Sequence, residues 1–348
     1  MEAGSSWGPQ AGKLGRPVTK PRVLVAAMTY DYGIPERGFG YEYYNTLPAL
    51  RSLPIELRQF DYAQEIIDQG YWVAQANLKR LVEEWRPDVL LCGMFVEQID
   101  RDVMSWISGS TPTVTIGWFS DDQWRFDSYS RHWARALNWV VTTDAAAVPR
   151  YRDMGQKNVV LSQWAVNEAV YHPTSSGLKY EVTFVGQAYG ERRRSVELLR
   201  RQGFDVRAWG PGWPQGKVSQ EEMVDIFSAS RVNLNFSASS YVPPGQKRPS
   251  AQIKGRVFEV PACGGLLLTD SAPEIERYYV PDHEIVLFES SKDLAERVRY
   301  LLDHEDERVA IACAGHARTM REHTWARRYA DILAKVGVVS LSAEGWPT

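Results

Sequence analysis

From Arg22 onward, short runs of apolar and largely β-branched residues alternate with segments whose apolar positions recur at helical spacing. That alternation is the pattern of βα units wound around a parallel sheet. In the first half, strands are expected at Val23–Ala27, Ile55–Phe60, Val89–Cys92, Thr113–Gly117, Trp139–Thr142 and Val159–Gln163, with amphipathic stretches such as Ala74–Trp85 between them. The turn-rich stretch His172–Gly177, with Pro173, Ser175 and Ser176, interrupts the pattern. A second set of strands follows at Glu181–Val185, Asp205–Trp209, Val232–Phe236, Leu266–Thr269 and Ile285–Phe288. The fold class is therefore α/β with two doubly wound units, divided near residues 174–178. A final helical segment, Thr324–Val336, suits docking on either unit.

Composition narrows the classes of function. A chain of 348 residues exceeds the size at which one core stops growing, so two cores are expected. Forty basic and 43 acidic residues leave a net charge of -3, which supplies no global field for nucleic acid or an anionic membrane. Cys92, Cys263 and Cys313 are odd in number and far apart, which fits neither a disulfide framework nor a metal-ligand spacing. They read as buried thiols of a reducing compartment. Residues 1–20, rich in Gly, Ser, Pro and Lys, lack the apolar run of a signal peptide and read as a disordered leader. No stretch reaches the roughly 20 apolar residues of a membrane span. A soluble, cytoplasmic protein without a membrane span and without a nucleic-acid partner is expected. Its oligomeric state is left open.

In open α/β sheets ligands bind beyond the carboxyl ends of the strands, so the residues after each strand carry the candidate chemistry. The segment Lys247–Glu259 reads as a basic loop entering a helix at Pro249 and Ser250, with Gly264 and Gly265 as its stop. Lys254 and Arg256 at a positive helix end are mildly unfavourable unless an anion joins them, and a diphosphate suits that place. A solvated basic loop is the plain alternative. After the first strand of the second unit, Gly186 leads through small residues to Arg192, Arg193 and Arg194 at another helix start. Glu259 follows Arg256 by one turn, and a carboxylate there suits the two hydroxyls of a ribose. Together these residues describe a cradle for a nucleoside diphosphate.

In the first unit, the loop after strand one holds Gly33, Gly38 and Gly40, whose spacing is not that of a dinucleotide fingerprint. Gly38 and Gly40 are placed as flexible backbone on the acceptor side of the cleft. After Thr113–Gly117 come Asp121, Asp122 and Trp124. Carboxylates between indoles suit sugar hydroxyls, a catalytic base or a metal ion, and equally the capping of a loop. Asp121 and Asp122 are taken as the candidate catalytic pair and Trp124 as an acceptor contact. With basic residues available for the diphosphate, no metal site is assigned.

The run "KGRVFEVPACGGLLLTD" (254–270) resembles the C-terminal domain of GT-B glycosyltransferases, specifically those related to the spore-maturation protein CgeB. "VTFVGQAYGERRR", "VRAWGPGW", "SASRVNLNFS", "HTWARRY", "WFSDDQWRFD" and "YRDMGQKNVVLSQWAVNEAVYHP" are similar to the same family. The resemblance covers residue 22 to about 335. It implies two facing Rossmann-like domains in a GT-B enzyme of the retaining type that requires no metal. Residues 21–174 would form the acceptor side, residues 178–322 the nucleotide-sugar side, and residues 323–348 a helix crossing back to the first domain. Glu259 would match the second glutamate of the Glu-x7-Glu motif, which holds the ribose. The first would fall at Ala251, a departure that bears on donor identity and stereochemistry.

The reading is a glycosyltransferase moving a sugar from a nucleoside-diphosphate sugar, UDP-sugar favoured, to an acceptor hydroxyl of a small molecule or glycan, with no further cofactor. The donor-binding residues are Gly186, Arg192, Arg193, Lys254, Arg256, Glu259, Gly264 and Gly265. A nucleotide-sugar epimerase on the same fold, and a non-catalytic nucleotide-sugar binder, are the alternatives.

Overall fold

A computed structural model of the chain describes residues 20–242, 245, 247–342, 345 and 347. Eleven strands form two parallel sheets. The first holds β1 (Arg22–Ala26), β2 (Glu56–Phe60), β3 (Val89–Cys92), β4 (Val114–Phe119), β5 (Trp139–Thr142) and β6 (Val159–Leu161), in the order β2-β1-β3-β4-β5-β6. The second holds β7 (Tyr180–Val185), β8 (Val206–Trp209), β9 (Ser230–Asn235), β10 (Leu267–Asp270) and β11 (Val286–Phe288), in the order β11-β10-β9-β7-β8. Each expected strand is present, shifted at its ends by at most two residues. Both sheets reverse their strand order beside the first strand of the set, between β1 and β3 and between β7 and β9. Such switch points leave a crevice at the carboxyl ends.

Alternation along each strand assigns side chains to the two covered faces. Leu24, Ala26, Leu90 and Cys92 enter one core with Tyr62, Leu78 and Trp133. Val23, Val25, Val89 and Leu91 enter the other, and its outer layer is the C-terminal helix Trp325–Lys335 through Trp325, Ala326, Tyr329, Ala330 and Leu333. The chain returns to the first sheet after the second is complete. Thr324 caps the helix through the Arg327 N–H, and backbone bonds on either side of Thr324 (Val166 N–H to His323 O, 3.0 Å; Trp325 N–H to Val166 O, 2.8 Å) fix the crossing beside β6. The second sheet is likewise covered on both faces.

Two expectations need correction. The helix expected from Pro249 starts at Arg256 and ends at Ala262. Residues 250–252 pair instead with residues 237–239, through Ser239 N–H to Ser250 O (2.9 Å) and Gln252 N–H to Ser237 O (3.1 Å), so tertiary pairing overrides the local start signals. Cys92 and Cys263 are buried, but Cys313 is exposed, on the solvent side of the helix Glu305–Glu322. The leader expected over residues 1–20 lies, apart from Lys20, outside the described residues. Among the described residues no helix is long and apolar enough to cross a membrane.

Trp325 is fully buried, and its Nε1–H donates to the Tyr41 hydroxyl (3.0 Å). Trp325→Ala is expected to cost about 3–5 kcal/mol, as for large aromatic truncations in cores, in urea-induced unfolding. A loss under about 1 kcal/mol would mean that the helix is not docked on the first sheet.

Candidate active site

The carboxyl ends of both sheets open into one cleft of about 660 Å³. Its walls are the loop after β1 (Asp31, Glu36, Arg37, Gly38, Gly40, Tyr41), the loop after β7 (Gly186, Gln187), the turn after β8 (Gly210, Pro211, Lys217), and Arg256, Glu259 and Tyr171. The β1 loop is two single helical turns joined at its base by Asp31 N–H to Gly38 O (2.9 Å) and Gly40 N–H to Thr29 O (2.8 Å). Gly38 has φ +83°, which disfavours a side chain, and a Cβ on Gly40 would lie 3.2 Å from the Tyr30 carbonyl. Lys217 spans the cleft, donating to Asp31 Oδ2 (3.2 Å) and to the Arg37 carbonyl (3.0 Å).

The floor is a buried ion pair. Arg256 begins its helix, donates from Nη1 to Glu259 Oε2, and donates from Nε to the Val185 carbonyl (3.2 Å). Glu259 Oε1 accepts from the Tyr171 hydroxyl (3.1 Å), and the Glu259 side chain is 1% exposed. Both carboxylate oxygens are thus engaged. Glu259 lines the cleft, and each of its oxygens, accepting one bond here, keeps further acceptor capacity. Lys254 precedes the helix, and its Nζ donates to the Tyr189 hydroxyl (2.9 Å) and the Ala238 carbonyl (2.5 Å). Burial, seconded by the Arg192 charge, pushes the Lys254 ammonium down to about 7 against the pull of Asp270 and Asp121.

A second cavity, of about 230 Å³, opens beside the β1 loop in the first half. Asp121 lines it together with Glu42, Asp31, Ser120 and the aromatic rings of Tyr32, Tyr41, Phe95, Trp118 and Trp164. Burial raises the Asp121 carboxyl above its ordinary range, although Gln252 Nε2 reaches its Oδ1 at 3.4 Å. Burial pushes the Glu42 carboxyl up to about 7. A third cavity, of about 210 Å³, holds Gln123, Thr143, Asp144, Ala251, Gln252 and Glu274. The Oε1 atoms of Gln123 and Gln252 are buried there without a partner.

The structure thus brings Gly38, Gly40, Gly186, Arg256 and Glu259 to the main cleft and Asp121 to its neighbour, with Lys254 just behind. Trp124 lines none of these three cavities; its ring lies 5.5 Å from the Tyr241 ring of the second half. Other expected site residues are corrected. Asp122 is fully buried, and its Oδ2 accepts from Thr142 Oγ1 (2.6 Å) and the Tyr151 hydroxyl (2.8 Å), so it ties β4 to β5 and the helix beyond and faces no substrate. Arg192 spends its guanidinium on the Gln187 (3.0 Å) and Phe236 (3.3 Å) carbonyls and covers the Tyr189 ring, while Arg193 holds the Gly212 carbonyl (2.6 Å). Neither lines the cleft; they shape the backbone that does. Gly264 and Gly265 lie at the amino end of β10, opposite the cleft. Gly264 ends the helix with φ +73°, and a Cβ on Gly265 would meet Asn233 Nδ2 and the Phe227 carbonyl, each at 2.6 Å.

Glu42, Tyr171 and Lys217 were not singled out from the sequence. Glu42 follows Gly40 by two residues and Lys217 follows a Gly/Pro-rich turn, but neither neighbourhood announces an ion site. Tyr171 stands at the start of the turn-rich break, where the chain passes between the sheets.

Residues 192–334 match the family described as glycosyl transferase-like. The spore protein CgeB of Bacillus subtilis is 22% identical over 282 residues, which is 75% of this chain and 85% of that protein. Among solved structures, HepE of Anabaena in complex with UDP and glucose superposes with a TM-score of 0.60 at 11% identity, over 91% of this chain and 99% of that one. Sucrose-phosphate synthase of Thermosynechococcus elongatus does so at 0.63 and 10% identity, over the same shares of 91% and 99%. The two facing sheets with a shared cleft are the GT-B architecture, and with the family match they define the class of protein as a glycosyltransferase. Within that class the chain is similar to the spore protein CgeB, as its motifs imply.

Gly265→Ala is expected to lose about 1–3 kcal/mol of stability through overpacking while its affinity for UDP stays unchanged. Thermal unfolding and nucleotide titration of the same variant check both halves. Weakened UDP binding at unchanged stability would return Gly265 to the donor site.

Proposed function

We propose that this chain transfers a sugar from a UDP-sugar to an acceptor hydroxyl, with retention of configuration and without a metal ion. The observation that carries the reading is the main cleft, in which the glycine-rich loop after β1 faces the Gly186 loop, Lys217 and Arg256 across a space of about 660 Å³, within the range of small-ligand sites. HepE, of the same fold, is solved with UDP and with UDP-glucose. The donor diphosphate lies against Gly186 and the exposed edge of Arg256, with Lys254 behind. These cations meet the charge that grows on the departing diphosphate, which lowers the barrier because the field is already in place. Retention rests on the resemblance to retaining GT-B enzymes.

In this reading residues 21–174 form the acceptor side and residues 178–322 the donor side, and residues 323–348 cross back. The contacts of Lys217 with Asp31 and Arg37 hold the halves closed over the donor and exclude water. A cytoplasmic setting is proposed from the three unpaired cysteines.

Purified protein is expected to be stabilised by UDP, by about 2.7 kcal/mol at a hundred times its Kd, equally with a divalent ion and with chelator. GDP, ADP, dTDP and CMP should do less, and a product formed from UDP-glucose should keep the donor's anomeric configuration by NMR. No response to any nucleoside diphosphate would sink the donor reading, and strict dependence on a divalent ion would sink its metal-independent form.

Lys254 adds a pH signature. Above about pH 7 its amine is largely neutral in the free protein, and a bound diphosphate favours the charged form. UDP binding between pH 7.5 and 8.5 should therefore take up a proton and weaken as pH rises. Calorimetry in buffers of different ionisation enthalpy measures the uptake, which should vanish in Lys254→Met. Equal uptake in the variant would place the titrating group elsewhere.

A further inference from the structure

The second cavity has a chemistry of its own that the donor reading does not use. Glu42, Asp31 and Asp121 face into it, and its remaining lining is aromatic or neutral, with no Lys, Arg or His. The nearest cations are engaged elsewhere. Arg125 donates to the Phe95 carbonyl (2.6 Å) and covers the Tyr129 ring, Arg37 lies over the outer Tyr32 ring, and Lys254 is bonded to Tyr189 and Ala238. Asp31 is held by Lys217 and Asp121 by Gln252. Glu42 differs, because the one hydrogen bond its carboxyl receives is from its own backbone N–H. The rings of Tyr32 and Phe95 meet edge to face (5.3 Å), as do those of Trp118 and Trp164 (4.8 Å), giving flat apolar walls. The indole Nε1–H groups of Trp118 and Trp164 are buried without a partner.

Building on the donor reading, we infer that this cavity is the acceptor subsite and that it selects an uncharged polyhydroxyl compound, a neutral sugar or polyol, whose hydroxyls donate to Glu42 and Asp121. Carboxylates accept from hydroxyls and repel phosphate and carboxylate groups. Aromatic faces suit the apolar C–H side of a sugar ring. A volume of about 230 Å³ holds roughly seven or eight waters at about 30 Å³ each, the scale of one sugar ring. The Glu42 carboxyl, pushed up to about 7 by burial and by the charges of Asp31 and Asp61, is discouraged from ionising by the same negative surroundings that exclude an anion. Beyond its own backbone N–H the Glu42 carboxyl has room for further donors, which a hydroxyl would supply. Glu42 thereby positions the acceptor, and the choice of acceptor becomes a matter of charge.

Saturation-transfer NMR on the full chain at pH 8, with and without UDP, tests this with glucose and xylitol as neutral probes and glucuronate and glucose 6-phosphate as anionic ones. The neutral probes should bind at least ten-fold more tightly than the anionic ones. Glu42→Gln should weaken them ten-fold or more, Glu42→Lys should invert the preference, and UDP affinity should be unchanged in both variants. Anionic probes binding as well as neutral ones, or neutral binding untouched by Glu42→Gln, would overturn the inference. The donor reading is judged separately by UDP binding in the same samples. Normal folding of each variant is checked by its UDP-induced thermal shift.

Discussion

The carboxylate of Glu259 is the constraint around which the two halves are arranged. It is sealed from water and would be costly to bury alone, so its oxygens need partners. Arg256 supplies one from the same helix, and Tyr171 supplies the other from the segment that joins the sheets. Because Arg256 also bonds the last carbonyl of β7, this one charge couples the floor of the cleft, the end of a central strand and the passage between the halves. Removing it would leave a largely buried guanidinium unpaired, which is costlier than never having had the pair.

Around that floor, the two switch points do the rest. Each leaves a crevice at the carboxyl edge of its sheet, and the crevices meet because the C-terminal helix, docked through Trp325 against Trp118 of β4 and through Tyr329 against Thr46, draws the second half back onto the first. Trp325 then bonds Tyr41, whose own hydroxyl donates to the Ala165 carbonyl (3.3 Å). A wall residue of the cleft is thus held by the helix that closes the architecture. The same closure buries ionisable groups and moves them toward neutrality, Lys254 downward and Glu42 and Asp121 upward, and groups poised in that way suit proton-linked binding and chemistry.

Much of this was legible along the chain. Most strands announced themselves as short apolar runs, since strands covered on both faces have no polar side to obscure them; the edge strand β2, with Glu56, Arg58 and Gln59, shows alternation instead. The terminal helix was marked by Thr324 at its cap and a strongly amphipathic stripe. The basic and glycine-rich character of the segments after β7 and before the helix Arg256–Ala262 also pointed to the correct edge of the second sheet. What misled was reading residue type as residue direction. Arg192, Arg193 and Asp122 have the side chains of a ligand site, but hydrogen bonding to carbonyls and hydroxyls inside the fold consumes them. Gly264 and Gly265 are required by a helix end and a tight approach to Asn233.

The sequence by itself determined the α/β class, the two sets of βα units, the neighbourhood of the cleft and the resemblance to a glycosyltransferase family, because those depend on periodicity and on motifs read in order. The tertiary structure alone decided which charges face the ligand. Whether a charged side chain is free or spent depends on partners far along the chain, 88 residues away for Glu259 with Tyr171 and 186 for Lys217 with Asp31. Hydrogen bonds between such distant residues leave no local pattern, and burial sets the ionisation of the groups that remain.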